Sequence, residues 1–191
     1  MGVEARTKEE LLRVGISLRS TAILAGLVAM TLASAASAQT LKPELAGVGF
    51  LIGDWSTGQG KVADTGGTST GRSRIESVAG GAVLLRRDRT ELFDASGKPA
   101  GGFDQIMMIY PEAGTLRADY ADGTHVIHYV TASVEAGHSV TLSSAVRPDA
   151  PTFRLTYTLR TPTTLDVAFS MAPPGSDAFR PVATGTLEKA P

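Results

Sequence analysis

Three histidines, His125, His128 and His138, are the residues of this chain best suited to ligand, metal or proton chemistry. His125 and His128 stand three apart, so on a strand they point to opposite faces and cannot chelate one ion together without a bulge. His138 follows Glu135-Ala136-Gly137 and reads as a turn residue. His128, between Ile127 and Tyr129, is the histidine expected to enter an interior. Ser143 and Ser144 lack the Gly-x-Ser-x-Gly setting of an activated nucleophile and read as strand residues. The glycines around Gly58, Gly60, Gly66 and Gly71 lack both a following helix and a Gly-Lys-Ser/Thr ending, so bends explain them better than a phosphate cradle. Asp104, Asp119 and Asp122 are too dispersed for a calcium loop. No catalytic constellation emerges from these residues.

The elements that must position such side chains are strands. Phe153, Leu155, Tyr157 and Leu159 alternate with Arg154, Thr156, Thr158 and Arg160, and Leu165, Val167, Phe169 and Met171 repeat the pattern after Thr161-Pro162-Thr163-Thr164. A period of two puts an apolar row on one face of this hairpin. Earlier strands are expected at Trp55 to Val62, Thr68 to Val78, Ala82 to Phe93, Gly102 to Tyr110, Leu116 to Tyr120, His125 to Val134 and Ser139 to Val146, with a closing strand from Phe179 to Leu187. Turn chemistry separates them, as in Gly80-Gly81, Asp94-Ala95-Ser96-Gly97 and Asp122-Gly123. Leu45, Val48, Phe50 and Leu51, interrupted by Gly47 and Gly49 and entered through Pro43, permit one short helix or turn before the first strand. The fold expected is therefore all-β, an antiparallel up-and-down barrel of about ten strands that leaves no unpaired edge. A sandwich is the alternative, since periodicity does not show whether the first strand meets the last.

Before these strands lies a leader. A basic flank at Arg19, an apolar run from Thr21 to Ala35 and the small-residue ending Ala36-Ser37-Ala38 form a secretory signal peptide over residues 1–38. The run is shorter than the roughly 20 residues that span a bilayer as a helix. Glu4, Glu9 and Glu10 are out of place in an export signal and point to Val14 as the true start. Residues 39–191 are expected to form a single barrel domain, periplasmic or secreted, with no membrane attachment after processing. Its roughly 153 residues suffice to bury about two-thirds of the unfolded surface. No cysteine is present, so neither a lipid-modified Cys nor a disulfide contributes.

The leader carries +1 of a total charge of -1, leaving -2 for the domain, which argues against nucleic acid as a partner. The one dense basic cluster, Arg86, Arg87 and Arg89, falls in a strand that distributes it over both faces.

Phe50-Leu51-Ile52-Gly53-Asp54-Trp55 with Gly58 and Gly60, at the head of a train of antiparallel strands, resembles the opening of the calycin, or lipocalin-like, barrels. It is most similar to the nitrobindin-like haem-binding barrels and to a related exported bacterial family of unknown function. The stretches from Tyr110-Pro111-Glu112-Ala113-Gly114 through Leu116 to Tyr120 and His125 to Tyr129 resemble exported members of that second group. The resemblance implies a barrel with a ligand-accessible interior. Independently of that likeness, Trp55 at the start of the first strand reads as a plug of one end, its indole reaching a backbone acceptor; the resemblance adds an Arg of the last strand, Arg180, packed over the ring. In nitrobindin-like proteins a late histidine holds haem iron. Here no histidine follows His138, which leaves His128 as the haem-ligand candidate.

A non-catalytic binder of a small, largely apolar molecule is the leading reading, with no cofactor. A nitrobindin-like haem protein acting on reactive nitrogen or oxygen species is the alternative. Expected ligand-binding residues are Arg87, Met107, Tyr110, Tyr120, His128, Tyr157 and Phe169, combining apolar lining with a few polar groups to orient a ligand.

Overall fold

A computed structural model describes residues 40–190 of the chain. The leader expected over residues 1–38 lies outside them. A 3-10 helix, Pro43–Leu51, precedes ten strands: β1 (Gly53–Val62), β2 (Gly67–Val78), β3 (Val83–Phe93), β4 (Pro99–Glu112), β5 (Thr115–Ala121), β6 (Val126–Glu135), β7 (Ser139–Ser144), β8 (Thr152–Thr161), β9 (Thr164–Ala172) and β10 (Arg180–Lys189). A single 3-10 turn, Ala79–Gly81, links β2 to β3. Among the described residues no helix is long and apolar enough to cross a membrane.

Each strand pairs antiparallel with the next, and β10 returns to β1 to close the barrel. The closing seam runs from Trp55 opposite Lys189 to Val62 opposite Ala183. It is interrupted once, where β1 bulges between Thr57 and Lys61 at the Gly58-Gln59-Gly60 segment. The up-and-down barrel is thus the architecture, and the sandwich alternative falls. Strand limits differ from the alternation-based ones mainly in β4, which starts at Pro99. Its first residues show no apolar alternation, yet they pair with Glu91, Leu92 and Phe93 of β3. Partner hydrogen bonds, not side-chain pattern, set that boundary.

The interior differs between the two ends. At the end where β1 begins and β10 finishes, the 3-10 helix lies across the opening and buries Leu45, Val48 and Leu51 completely. These residues join Trp55, Leu84, Ile109, Ala118, Val140, Leu142 and Leu165 in one apolar core. The Trp55 ring is 2% exposed, and its Nε1 donates to Leu51 O at 2.8 Å, which ties the plug to the helix above it. Pro43 sets the backbone at the helix start. Gly81, at φ +86, approaches so closely that a Cβ there would stand 2.0 Å from Thr40 O. Its carbonyl accepts from Lys42 N at 2.9 Å and anchors the chain entering the helix.

The cation over Trp55 is Lys189, with Nζ 5.2 Å from the ring centroid. Arg180 was expected there, but it pairs with Met171 at the far end of β10 and is exposed. The strand runs in the sense that brings its last residues, not its first, beside Trp55. Gly53 makes the room, since a Cβ at that position would lie 2.6 Å from Lys189 Cε.

Trp55→Ala should therefore destabilise the fold by about 3–5 kcal/mol through loss of the plug. Lys189→Ala should cost at most about 1 kcal/mol, and Arg180→Ala should stay within about 0.5 kcal/mol of wild type. Urea denaturation of the three variants checks this order.

Candidate functional site

The β3 segment Val-Leu-Leu-Arg-Arg-Asp-Arg-Thr decides the chemistry of the interior. Leu84 is fully buried, so strand parity sends Arg86, Asp88, Thr90 and Leu92 inward with it, while the Arg87 and Arg89 side chains turn to the part-exposed carboxylates of Glu76 and Glu91. Arg86 and Asp88 stand two apart on one face and form a buried ion pair, Nη2 donating to Oδ2, with side chains 13% and 6% exposed. Arg86 Nη1 also donates to the Tyr157 hydroxyl of β8 and lies 3.9 Å from Met107 Sδ. Its Nη2 reaches Gln105 Oε1 at 3.4 Å, while Gln105 Nε2 donates to Thr90 Oγ1 at 2.8 Å. The guanidinium therefore ties β3, β4 and β8 together across the lumen.

This cluster faces a cavity of about 500 Å³ that occupies the barrel on the side away from the helix. Trp55 and Ile75 belong to its lining at the depth of the plug. Ile127, Leu155, Val167, Phe153 and Phe169 supply apolar wall, and Phe153 stacks on Phe169 with ring centroids 5.7 Å apart. Tyr120, Tyr129 and Tyr157 add three phenol groups. At the rim Tyr120 donates to Asp122 Oδ2 at 3.0 Å, and His125 Nδ1 lies 3.3 Å from the same oxygen. The volume falls within the range usual for small-molecule sites, as does the mixture of apolar wall and a few polar groups.

The electrostatics follow from burial. Desolvation pushes the Tyr157 phenol up to about 12, against the pull of Arg86. Tyr120 and Tyr129 are raised as well, again chiefly by desolvation, so all three act as neutral hydrogen-bonding groups at neutral pH. Burial by itself would lower Arg86, yet Asp88 and the surrounding phenols hold it above the ordinary guanidinium value.

The expected ligand-binding residues divide by face. Tyr120, Tyr157 and Phe169 line the cavity, and Met107 is buried against Arg86. Arg87, Tyr110 and His128 do not face it. Arg87 pairs with Glu76 on the outer wall. Tyr110 donates to Asp119 Oδ2 at 2.9 Å, and His128 Nδ1 sits 2.6 Å from Asp119 Oδ1 with its side chain 78% exposed. The His128 hydrogen bond is the main reason Asp119 lies below the usual carboxylate range. His125 lines the cavity in place of His128, because the inward parity of β6 is fixed by buried Ile127 and Tyr129. Of the three histidines only His125 borders the cavity, with Nδ1 facing Asp122 at the rim; His128 is outside the wall, and His138 belongs to the β6–β7 turn.

Arg86, Asp88, Gln105 and Tyr129 were not among the expected residues. The signal available for the first two was their complementary charge at an i, i+2 spacing, which places both on one face of a strand. Among the described residues no group of three His, Asp or Glu is placed to hold a metal ion.

No family model matches the chain, and no curated protein matches it. Among solved structures it is similar to the crystal structure of Rv2717c from M. tuberculosis, at 15% identity and a TM-score of 0.58, covering 80% of this chain and 100% of that one. The structure of EF1p2_mFAP2b bound to DFHBI matches at 14% identity and a TM-score of 0.42, over 76% of this chain and 98% of that one. At such identity the first likeness is one of fold, and the second is too remote to argue from.

Two outcomes follow from the interior cluster. Arg86→Met should cost about 3–5 kcal/mol, because it leaves Asp88 charged and alone, whereas Arg87→Met on the outer wall should change stability by less than about 0.5 kcal/mol. Chemical denaturation at pH 7 measures both. The phenols set an alkaline limit. A phenol whose value is raised on folding adds stability that is complete below the unfolded value near 10 and is lost as pH climbs from there through the folded value near 12. Absorbance at 295 nm should accordingly show the three interior tyrosines ionising only with unfolding, and free titration of all three near pH 10 in the folded protein would contradict the site as described.

Proposed function

We propose that this protein is an exported β-barrel that binds a small, largely apolar molecule and performs no chemistry on it. The observation that carries this reading is the cavity of about 500 Å³, whose apolar wall includes Phe153, Leu155, Val167, Phe169 and Leu187 and whose polar groups include Arg86, Asp88, Gln105 and three phenols. A largely apolar wall supplies affinity, and a few fixed polar groups orient the occupant. The fold shared with Rv2717c supports the barrel and says nothing of its ligand. Export, to the periplasm or beyond the cell, rests on the Ala36-Ser37-Ala38 pattern of the leader.

N-phenyl-1-naphthylamine, a neutral fluorescent probe, tests the cavity directly. Saturable enhancement is expected with wild type. Ala183, in register with Val62 and Phe169 and part of the lining, is the place to fill the lumen. Ala183→Trp should weaken probe binding about tenfold or more with an unchanged circular dichroism spectrum. Equal binding by the variant, or no saturable binding by wild type, would overturn the reading. The nitrobindin-like alternative has its own arm: hemin titration of wild type and of His125→Ala, the histidine that borders the cavity, should give the same spectra, and loss of a Soret shift in that variant would restore the haem reading.

A further inference from the structure

Arg86 sets the sense of the hydrogen bonds around it, because a guanidinium only donates. Its Nη1 donates to the Tyr157 hydroxyl, so that oxygen is the acceptor and its own proton is left for another partner. Nothing among the described residues takes that proton. Tyr129, 2% exposed and turned inward on β6 with Ile127, carries a hydroxyl that also has no hydrogen-bond partner among the described residues. This hydroxyl is not sealed in. The buried oxygens that have neither a partner nor contact with open space are Ser77 Oγ and Asp88 Oδ1, and the Tyr129 oxygen is not one of them, so it meets the cavity that its residue lines. Tyr129 stands close enough to Tyr157 and Arg86 for both to act on its ionisation, which places the two phenols in one sector of the lumen.

The third lining phenol is engaged, since Tyr120 donates to Asp122 Oδ2 at 3.0 Å. The other charges of the lining are held or turned to solvent. Asp122 Oδ1 accepts from the backbone of Thr124 and His125, Arg89 pairs with Glu91 and Asp104, and Arg72 is an exposed residue beside buried Ser73. The free polar capacity of this buried sector is therefore the O–H protons of Tyr129 and Tyr157, the latter polarised by the cation that donates to it.

We propose that Tyr129 and Tyr157 determine specificity by donating together to one acceptor oxygen, and that the ligand is a largely apolar molecule carrying a carbonyl group. A carbonyl oxygen has two lone pairs and can receive both phenols. An alkenyl group of the same shape leaves both O–H groups buried and unpaired. This rests on the reading of the cavity as a ligand site and deepens it.

2-Acetylnaphthalene and 2-isopropenylnaphthalene differ only in C=O against C=CH2, and displacement of N-phenyl-1-naphthylamine measures the affinity of each. The alkene is the more hydrophobic compound, so the quantity read is the ketone-to-alkene affinity ratio in wild type against variant. Tyr129→Phe breaks no existing hydrogen bond and should lower that ratio about three- to tenfold, as should Tyr157→Phe. Tyr110→Phe, on the outer wall, should leave it as in wild type. The infrared carbonyl stretch of bound 2-acetylnaphthalene gives a second readout: in wild type it should lie below its frequency in hexane, and in Tyr129→Phe it should move back up. If circular dichroism shows Tyr157→Phe unfolded, Tyr129→Phe and the carbonyl stretch decide. A ratio in Tyr129→Phe within about twofold of wild type, a carbonyl stretch at its hexane value, or failure of both compounds to displace the dye would overturn the inference and leave the cavity reading standing. Absence of saturable dye binding would overturn both.

Discussion

The ladder between β1 and β10 is the interaction on which the rest of this molecule depends. While it holds, no strand edge is exposed, and every inward side chain faces other inward side chains across a lumen. Ten strands enclose more space than eight, whose interior side chains just fill. The width must then be filled or left as a cavity, and this chain does each at one end. The 3-10 helix brings Leu45, Val48 and Leu51 down onto Trp55 and packs the lower half. Nothing comparable covers the other half among the described residues. The cavity is thus a consequence of closure with ten strands and of a single plug, before any residue chemistry is considered.

Within that lumen, Arg86 and Asp88 mark the passage from packed core to cavity. A buried ion pair adds little net stability, because desolvation offsets most of the attraction, but removal of either partner is costly. It therefore acts as a constraint on register. Sliding β3 by one residue would place Arg87 and Arg89 inside without the carboxylate of Asp88, while Arg86 and Asp88 would turn outward. The links from Arg86 to Tyr157 and Gln105 carry that constraint to β8 and β4, so the polar sector is fixed from three strands at once. Fixed polar groups beside an adaptable apolar wall suit recognition of one end of a ligand.

Much of the architecture was legible because alternation is strong where it matters. The β8 and β9 rows, the glycine-rich turns and the Pro43 helix start each follow from local physics, and together they lead to a closed barrel. The candidate site was less legible for a local reason. Val83, Leu84 and Leu85 are apolar in succession, so the phase of β3 cannot be taken from its hydrophobic residues. Arg86 and Arg87 are one residue apart, and that single step reverses the face. His128 misled in a similar way: Ile127 and Tyr129 flank it, and apolar neighbours on a strand are the inward residues when the residue between them points out. The pairing of Lys189 with Trp55 depended on the direction in which the last strand returns, and residue type says nothing of that.

Two clusters of the same composition show how far residue type can carry a functional argument. Tyr110, Asp119 and His128 form one hydrogen-bonded group, and Tyr120, Asp122 and His125 form another, each with the carboxylate between a phenol and an imidazole. The first lies on the outer wall in solvent, and the second sits at the rim of the cavity with Tyr120 facing inward. Desolvation dominates the shift of Tyr120, whereas the hydrogen bond to Asp119 dominates that of Tyr110. Identical side chains thus meet different environments, and only the second set can touch an occupant. In a barrel the inside-or-outside parity of each strand, fixed by its most buried residues, decides which polar groups can have a binding role.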